Sequence, residues 1–292
     1  MLHKSVLLQE AIQYLHLQEG MTVVDGTLGS GGHSAEIVKR IGRQGKLIAI
    51  DQDPAAVERS RSVLKEFPQV FFYQENFRNL DNLLNNLNIH YVNAVILDVG
   101  FSSDQLEDAE RGFSFEREGP LDMRMNPANR FTARDFIHDL SQEELEKVFR
   151  DFGEERWARR FAKAICRQRE IKPIETTGDL VAAIRSANPF FDRKRHPATR
   201  VFQALRIAVN DELGALSEGL PSIWKRIQPG GRLVVITFHS LEDRIVKNQF
   251  REWGQAQEAV VLTKKPVVPS LFEIEDNPRA RSAKLRAVEK KA

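Results

Sequence analysis

Three short apolar runs in the first hundred residues each close on an aspartate: Val23-Val24-Asp25, Ile48-Ala49-Ile50-Asp51 and Val95-Ile96-Leu97-Asp98. Runs of this length, apolar throughout and rich in β-branched residues, predict strands buried on both faces, as in a parallel sheet. Between them the spacing predicts helices over 34–41 and 54–67, a further strand over 70–73, and a helix carrying Leu80, Leu83, Leu84 and Leu87. Alternating strands and helices call for an α/β sheet covered on both sides. Ligands of open α/β sheets bind outside the carboxyl ends of the strands. Asp25, Asp51 and Asp98 would therefore converge on one crevice.

The first of these strands runs into Asp25-Gly-Thr-Leu-Gly-Ser-Gly-Gly-His33, which opens a helix. Its glycines permit tight turns and close approach of a ligand to the backbone. Asp51, 20 residues after Gly31 at the end of the next strand, can accept hydrogen bonds from both ribose hydroxyls of an adenosine-type cofactor. A dinucleotide site would want a third glycine where Ser34 stands. Asp25 before the loop would repel a pyrophosphate and suits the cationic aminoacyl part of S-adenosylmethionine.

From about 103 to 212 no buried strand is evident and the chain is charged and helix-prone, with a capping box at Ser141-Gln-Glu-Glu144 and an apolar stripe of Trp157, Phe161, Ala164 and Ile165. The sheet pattern then returns: a helix over 213–227 ended by Pro229-Gly230-Gly231, a strand over 232–238, a helix over 241–253, and two final strands over 259–267 and 283–288. Net charge is only +2, but residues 150–206 hold 14 Lys/Arg against seven Asp/Glu. The run Arg193-Lys194-Arg195-His196 beside Phe190 and Phe191 is the densest part, and the tail from Asn277 adds six Lys/Arg against one Glu. Such patches fit phosphate contacts.

A single cysteine, Cys166, excludes an internal disulfide and a cysteine-rich zinc site, and reads as a core thiol inside a helix. The histidines lack metal-ligand spacing, so no metal is expected. The apolar run at Val6-Leu7-Leu8 is too short for a signal peptide, and no later run reaches transmembrane length; a cytoplasmic protein with no membrane partner is expected.

Several blocks resemble the bacterial 16S rRNA cytosine-N4 methyltransferases of the RsmH, or MraW, type. Besides the glycine loop these are Asp98-Val-Gly-Phe-Ser-Ser103, Gln105-Leu-Glu-Asp-Ala-Glu-Arg-Gly-Phe-Ser-Phe115, Gly119-Pro-Leu-Asp-Met-Arg-Met125 and Gly153-Glu-Glu-Arg156. They continue with His196-Pro-Ala-Thr-Arg200, Phe202-Gln-Ala-Leu-Arg206, Thr237-Phe-His-Ser-Leu-Glu-Asp-Arg-Ile-Val-Lys247 and Asn277-Pro-Arg-Ala-Arg-Ser282. Asn126 departs from the family's usual Asp, and the stretch between Lys247 and Asn277 is shorter than in some members. The resemblance implies a Rossmann-like S-adenosylmethionine methyltransferase sheet (1–103 and 213–292) interrupted by an all-helical substrate-recognition domain (104–212). It implies a cofactor site of Gly31, Gly32, His33, Asp51, Phe77, Asp98 and Gln105. The substrate it implies is one cytosine in the decoding region of 16S rRNA within the small ribosomal subunit; a homo-oligomer is left open.

Methylation of an exocyclic amine needs acceptors that bind the amino hydrogens, because the nitrogen lone pair is shared with the ring. Asp98, Ser102 and Ser103, after the fourth strand, are the catalytic candidates. The base must be unstacked, in a loop or flipped out. His33 reads either as a cofactor contact or as an exposed cap, and His239 as a substrate contact or a partner for a buried carbonyl. A methyltransferase with another target, a catalytically silent RNA-binding assembly factor and a dinucleotide oxidoreductase are the competing readings.

Overall fold

The computed structural model describes residues 4–187 and 196–292. The runs at Phe190, Phe191 and Arg193-Lys194-Arg195 lie outside the described residues. The chain divides into two compact units, Met1–Gly100 with Leu213–Ala292, and Phe101–Glu212.

The first unit begins with α1 (Leu8–Leu15), β1 (Thr22–Asp25), α2 (Gly32–Ile41), β2 (Lys46–Asp51), α3 (Pro54–Val63), β3 (Val70–Gln74), α4 (Leu80–Asn86) and β4 (Val92–Asp98). The second unit contains α5 (Ser103–Glu107), α6 (Ala133–Asp139), α7 (Gln142–Gly153), α8 (Ala158–Ile171), α9 (Thr177–Ala187) and α10 (Thr199–Asn210). From α11 (Glu212–Arg226) the chain re-enters the first unit with β5 (Ile227–Thr237), α12 (Ser240–Gln255), β6 (Ala259–Val261), α13 (Leu271–Asp276) and β7 (Lys284–Lys290).

The described strands form one sheet in the order β3-β2-β1-β4-β5-β7-β6. β1 to β5 are parallel, and β7 is antiparallel to both its neighbours. This is a Rossmann-like α/β sheet whose order reverses between β1 and β4, the place where such folds hold ligands. Alternate residues of each strand feed opposite faces. Val24, Ile50, Val95, Leu97 and Val235 pack with Leu84, Leu220 and Phe250 on one side. Val23, Ala49, Ile96, Val234 and Ile236 pack with Ile12, Ile37 and Ile41 on the other. Each fully buried aliphatic side chain contributes about 1.5–3 kcal/mol, so the strand ends are rigidly placed.

Three expectations need correction. β5 starts at Ile227, not 232, because Ile227 already pairs with Val92; Pro229-Gly230-Gly231 then forms a bulge with Gly230 at φ +77 before pairing resumes at Arg232. β6 stops at Val261 because the Thr263 hydroxyl, not a backbone group, accepts from the Ala287 N–H. α3 ends at Val63, four residues early, capped by Leu64.

The second unit has its own core, with Phe149, Phe161, Ile165, Leu180, Ile184 and Leu205 buried in it. Reciprocal capping boxes open α5 (Ser102–Gln105), α6 (Thr132–Asp135) and α7 (Ser141–Glu144). Cys166 is only half-buried against this core, short of the core thiol expected.

Candidate active site

In the first unit the glycine loop joins β1 to α2, and three of its glycines have separate causes. A Cβ on Gly26 would lie 2.5 Å from Leu97 Cδ2, and one on Gly32 would lie 2.0 Å from Ser5 Oγ. Gly31 caps α2 at φ +79, a conformation that glycine adopts without strain. The loop is pinned from outside by Ser60, whose hydroxyl donates to the Gly29 carbonyl at 2.9 Å.

The three strand-end aspartates do not share one role. Asp25 is buried with both oxygens committed inward, accepting from the Ser34 hydroxyl at 2.7 Å and the Thr27 N–H at 3.2 Å. Ser34, the residue that departs from the dinucleotide pattern, is thus what holds Asp25. Burial pushes the Asp25 carboxyl up to about 6, against the lowering pull of those bonds. Asp51 accepts from Gly29 N–H at 2.8 Å through Oδ2 and from Asp53 N–H at 2.9 Å through Oδ1. Burial again dominates and raises its pKa to about 6, helped by the charges of Asp53 and Asp25. Two further lone-pair positions remain on this half-buried carboxylate, enough for a ribose diol.

Asp98 differs from both. Its backbone N–H donates to Thr27 Oγ1, which fixes the chain, but its Oδ1 is buried with no hydrogen-bond partner. Burial, then the charges of Asp25 and Glu242, push it up to about 8. An unsatisfied carboxyl oxygen at the sheet's reversal point is costly for a fold and useful for a ligand.

His33 is buried, which overturns the reading of an exposed cap. Its Nε2 lies 3.1 Å from the Val6 carbonyl and its Nδ1 lies 3.7 Å from Asp98 Oδ2. His239 caps α12: its Nδ1 accepts from the Glu242 N–H at 3.4 Å, while Glu242 Oε2 accepts from the N–H groups of Phe238 and His239. Glu242 was missed in the sequence; its position three residues after a cap-forming residue was the available signal. Phe77 is 8% exposed in the core, and a Cβ on Gly219 would lie 2.9 Å from its ring.

In the second unit Ser102 and Gln105 bind each other. The Ser102 hydroxyl accepts from Gln105 N–H at 3.2 Å, and Gln105 Oε1 accepts from Ser102 N–H at 2.9 Å. Ser103 is the first helical residue. Arg159, Lys163 and Arg167 are exposed at i, i+4 and i+8 along α8, a basic stripe. Half of the basic tail of the first unit is spent on the fold. Arg286 is buried, donating to Asp243 at 2.7 Å, Lys284 reaches the same carboxylate, and Lys290 donates to the Trp224 carbonyl. Among the described residues no helix is long and apolar enough to cross a membrane.

A family model described as the MraW methylase family matches residues 1–291. The ribosomal RNA small subunit methyltransferase H of Clostridium botulinum (strain Loch Maree / Type A3) is 45% identical over 304 residues, covering 99% of this chain and 98% of that protein. The protein of the same name from Koribacter versatilis (strain Ellin345) is 49% identical over 300 residues, covering 99% and 94%. Among solved structures, an rRNA methylase from Streptococcus thermophilus aligns over 100% of this chain and 99% of its own, at 12% identity and a TM-score of 0.47.

Proposed function

The chain belongs to the MraW methylase family, and on that premise we propose that it methylates the exocyclic N4 of one cytosine in the decoding region of 16S rRNA. It is an S-adenosylmethionine-dependent methyltransferase of small-subunit ribosomal RNA. When bound, the cofactor supplies a methyl group already activated on sulfonium. The protein has to hold that cofactor, present the base in line, and accept the hydrogens of a poorly nucleophilic amine.

The residues present suit this work. Asp51, with lone pairs to spare, holds the ribose hydroxyls, and Gly31, Gly32 and His33 form the loop that the cofactor lies against. Phe77 completes the cofactor site within the first unit, and Gln105 is a cofactor contact by the family resemblance alone. Asp98 carries the reading. Its unpartnered Oδ1 is an acceptor held ready at the sheet's reversal point, where it binds an amino hydrogen and favours the pyramidal nitrogen. Ser102 and Ser103 are weaker candidates, because the Ser102 hydroxyl already caps α5. Residues 104–212, with the exposed stripe of Arg159, Lys163 and Arg167, form the substrate-recognition domain and engage phosphates of the assembled subunit. Residues 1–103 and 213–292 form the catalytic domain.

The deciding experiment is transfer of labelled methyl from S-adenosylmethionine to small subunits lacking the modification, with nucleoside analysis and Asp98→Ala as control. Label is expected in N4-methylcytidine and is expected to fall by about 100-fold or more in the variant. Label in another nucleoside, or an unchanged rate in Asp98→Ala, overturns the reading.

A further inference from the structure

His33 lies on the glycine loop, where the family resemblance implies a cofactor contact. Its surroundings in the first unit give it a second duty. The ring is buried, so its two nitrogens must be satisfied by protein groups or a bound ligand. Nε2 faces the Val6 carbonyl at 3.1 Å, and a carbonyl only accepts; Nε2 therefore carries the proton. In the neutral ring this leaves Nδ1 as the lone-pair nitrogen, which only accepts; it is turned to Asp98 Oδ2 at 3.7 Å, so the contact is made by a proton carried on Oδ2, and Oδ1 keeps its lone pairs as an acceptor.

The Val6 carbonyl is itself held in place. On one side Ser5 sits against Gly32, where any Cβ would lie 2.0 Å from the serine hydroxyl. On the other, the Leu7 N–H donates to Glu273 Oε1 at 2.7 Å, with Leu7 at φ 50, a left-handed conformation that bulky residues avoid. The N-terminal segment is thus fastened both to the glycine loop and to α13, and it presents a fixed acceptor to the imidazole.

We propose that His33 is a positioning residue for Asp98: anchored through Nε2 on the Val6 carbonyl, it holds Nδ1 against Asp98 Oδ2 and so orients Oδ1 toward the methyl-accepting amine. This rests on the reading of Asp98 given above. The present 3.7 Å separation exceeds a hydrogen bond, and catalytic contacts in ligand-free sites commonly tighten once the ligand is seated. Asp25 on β1 and Glu242 on α12 also act on Asp98, through charge.

Two conservative variants separate the two ends of the imidazole. His33→Asn keeps a polar atom where Nδ1 stands and loses the reach to Val6; His33→Gln keeps an amide donor near the Nε2 position and loses the partner of Asp98. Single-turnover methyl transfer and S-adenosylmethionine affinity would be measured for both, with Asp98→Ala alongside. Loss of positioning predicts a single-turnover rate at saturating S-adenosylmethionine lower by about 100-fold in His33→Gln, and a substantially smaller loss in His33→Asn. The reverse order overturns the proposal, since it would mean that His33 acts through its anchor on the N-terminal segment alone. Because either variant could unfold, imidazole ¹⁵N shifts of the native histidine form a second test. A lone-pair signal at Nδ1 that moves in Asp98→Asn supports the contact, and one indifferent to that change refutes it. An unchanged transfer rate in Asp98→Ala would instead sink the role of Asp98 itself, so the two failures are distinguishable.

Discussion

Asp51 at the end of β2 and Asp135 at the start of α6 both accept hydrogen bonds from backbone N–H groups, yet their acidities move in opposite directions. Asp135, near the surface of the second unit, takes a backbone bond and a hydroxyl bond from Thr132 and is held below the usual carboxylate range. Asp51, with two backbone donors at comparable distances, is raised to about 6 because burial outweighs them. The motif is the same and the surroundings decide the sign. The helical unit places its acids where solvent helps to stabilise charge, and they serve as caps. The sheet unit buries Asp25, Asp51 and Asp98 at strand ends, where ionisation costs folding energy, and keeps the charges of Asp51 and Asp98 available to a ligand.

The largest consequence lies at Asp98. A pKa raised from 3.8 to about 8 means that the folded state holds its proton more tightly than the unfolded state. The stability this gives is complete below pH 4 and is lost as pH rises to 8. Asp98→Asn should therefore leave stability near pH 4 almost unchanged and raise it at pH 8.5 by on the order of 3 kcal/mol, after discounting for partial solvent contact. Methyl transfer should fall less in this variant than in Asp98→Ala, because the amide keeps an accepting oxygen. Chemical denaturation at the two pH values checks this. An equal effect at both would show that Asp98 is not an electrostatic burden, and its contrast with the helix-cap acids would disappear.

Much of the sheet was legible because a doubly buried parallel strand needs an unbroken apolar run, and the aspartates mark where each run meets the ligand edge. The correct placing of Asp51 and Asp98 followed from that register alone. What escaped depends on partners distant in the chain. Nothing near His33 announces that Val6, 27 residues earlier, buries it. Asp25 looked like a crevice acid because its bond to Ser34 spans a loop whose folding determines whether the two meet. Pro229-Gly230-Gly231 reads as a helix stop, and whether it also lies inside a strand depends on pairing with β4. Helix starts in the second unit were easier, since a capping box is complete within four residues: Ser141 and Glu144 were readable directly.

A smaller effect is expected at the glycine loop. Gly32→Ala would force its new methyl group onto Ser5, at a cost of about 1–3 kcal/mol. If steric approach is the whole reason for glycine there, Ser5→Gly in the same chain should recover most of the melting temperature. Failure of that rescue, with cofactor affinity lost as well, would place the requirement in the ligand rather than in the fold. Gly29 offers the matching control, since the nearest atom to a Cβ there is the Thr27 carbonyl at 3.9 Å, although its φ of +52 still strains any side chain.

The smallest effect sharpens the contrast from the other side. Thr132→Ala removes a hydroxyl that accepts from the Asp135 N–H at 3.2 Å and donates to Asp135 Oδ2 at 2.7 Å. Loss of such a cap costs about 1 kcal/mol. Because the Asp135 pKa is lowered on folding, its share of stability is present above the unfolded value and is lost as pH falls through the folded one. The gap between native and variant proteins in urea should therefore be full at pH 7 and narrower at pH 3; at Asp98 the gap also opens as pH rises, but with the opposite sign, since there the variant is the more stable protein. A gap of constant size would mean that the hydroxyl acts only on the helix N–H and that the charge of Asp135 adds nothing. The division between acids that cap and acids kept for a ligand would then rest on the sheet unit alone.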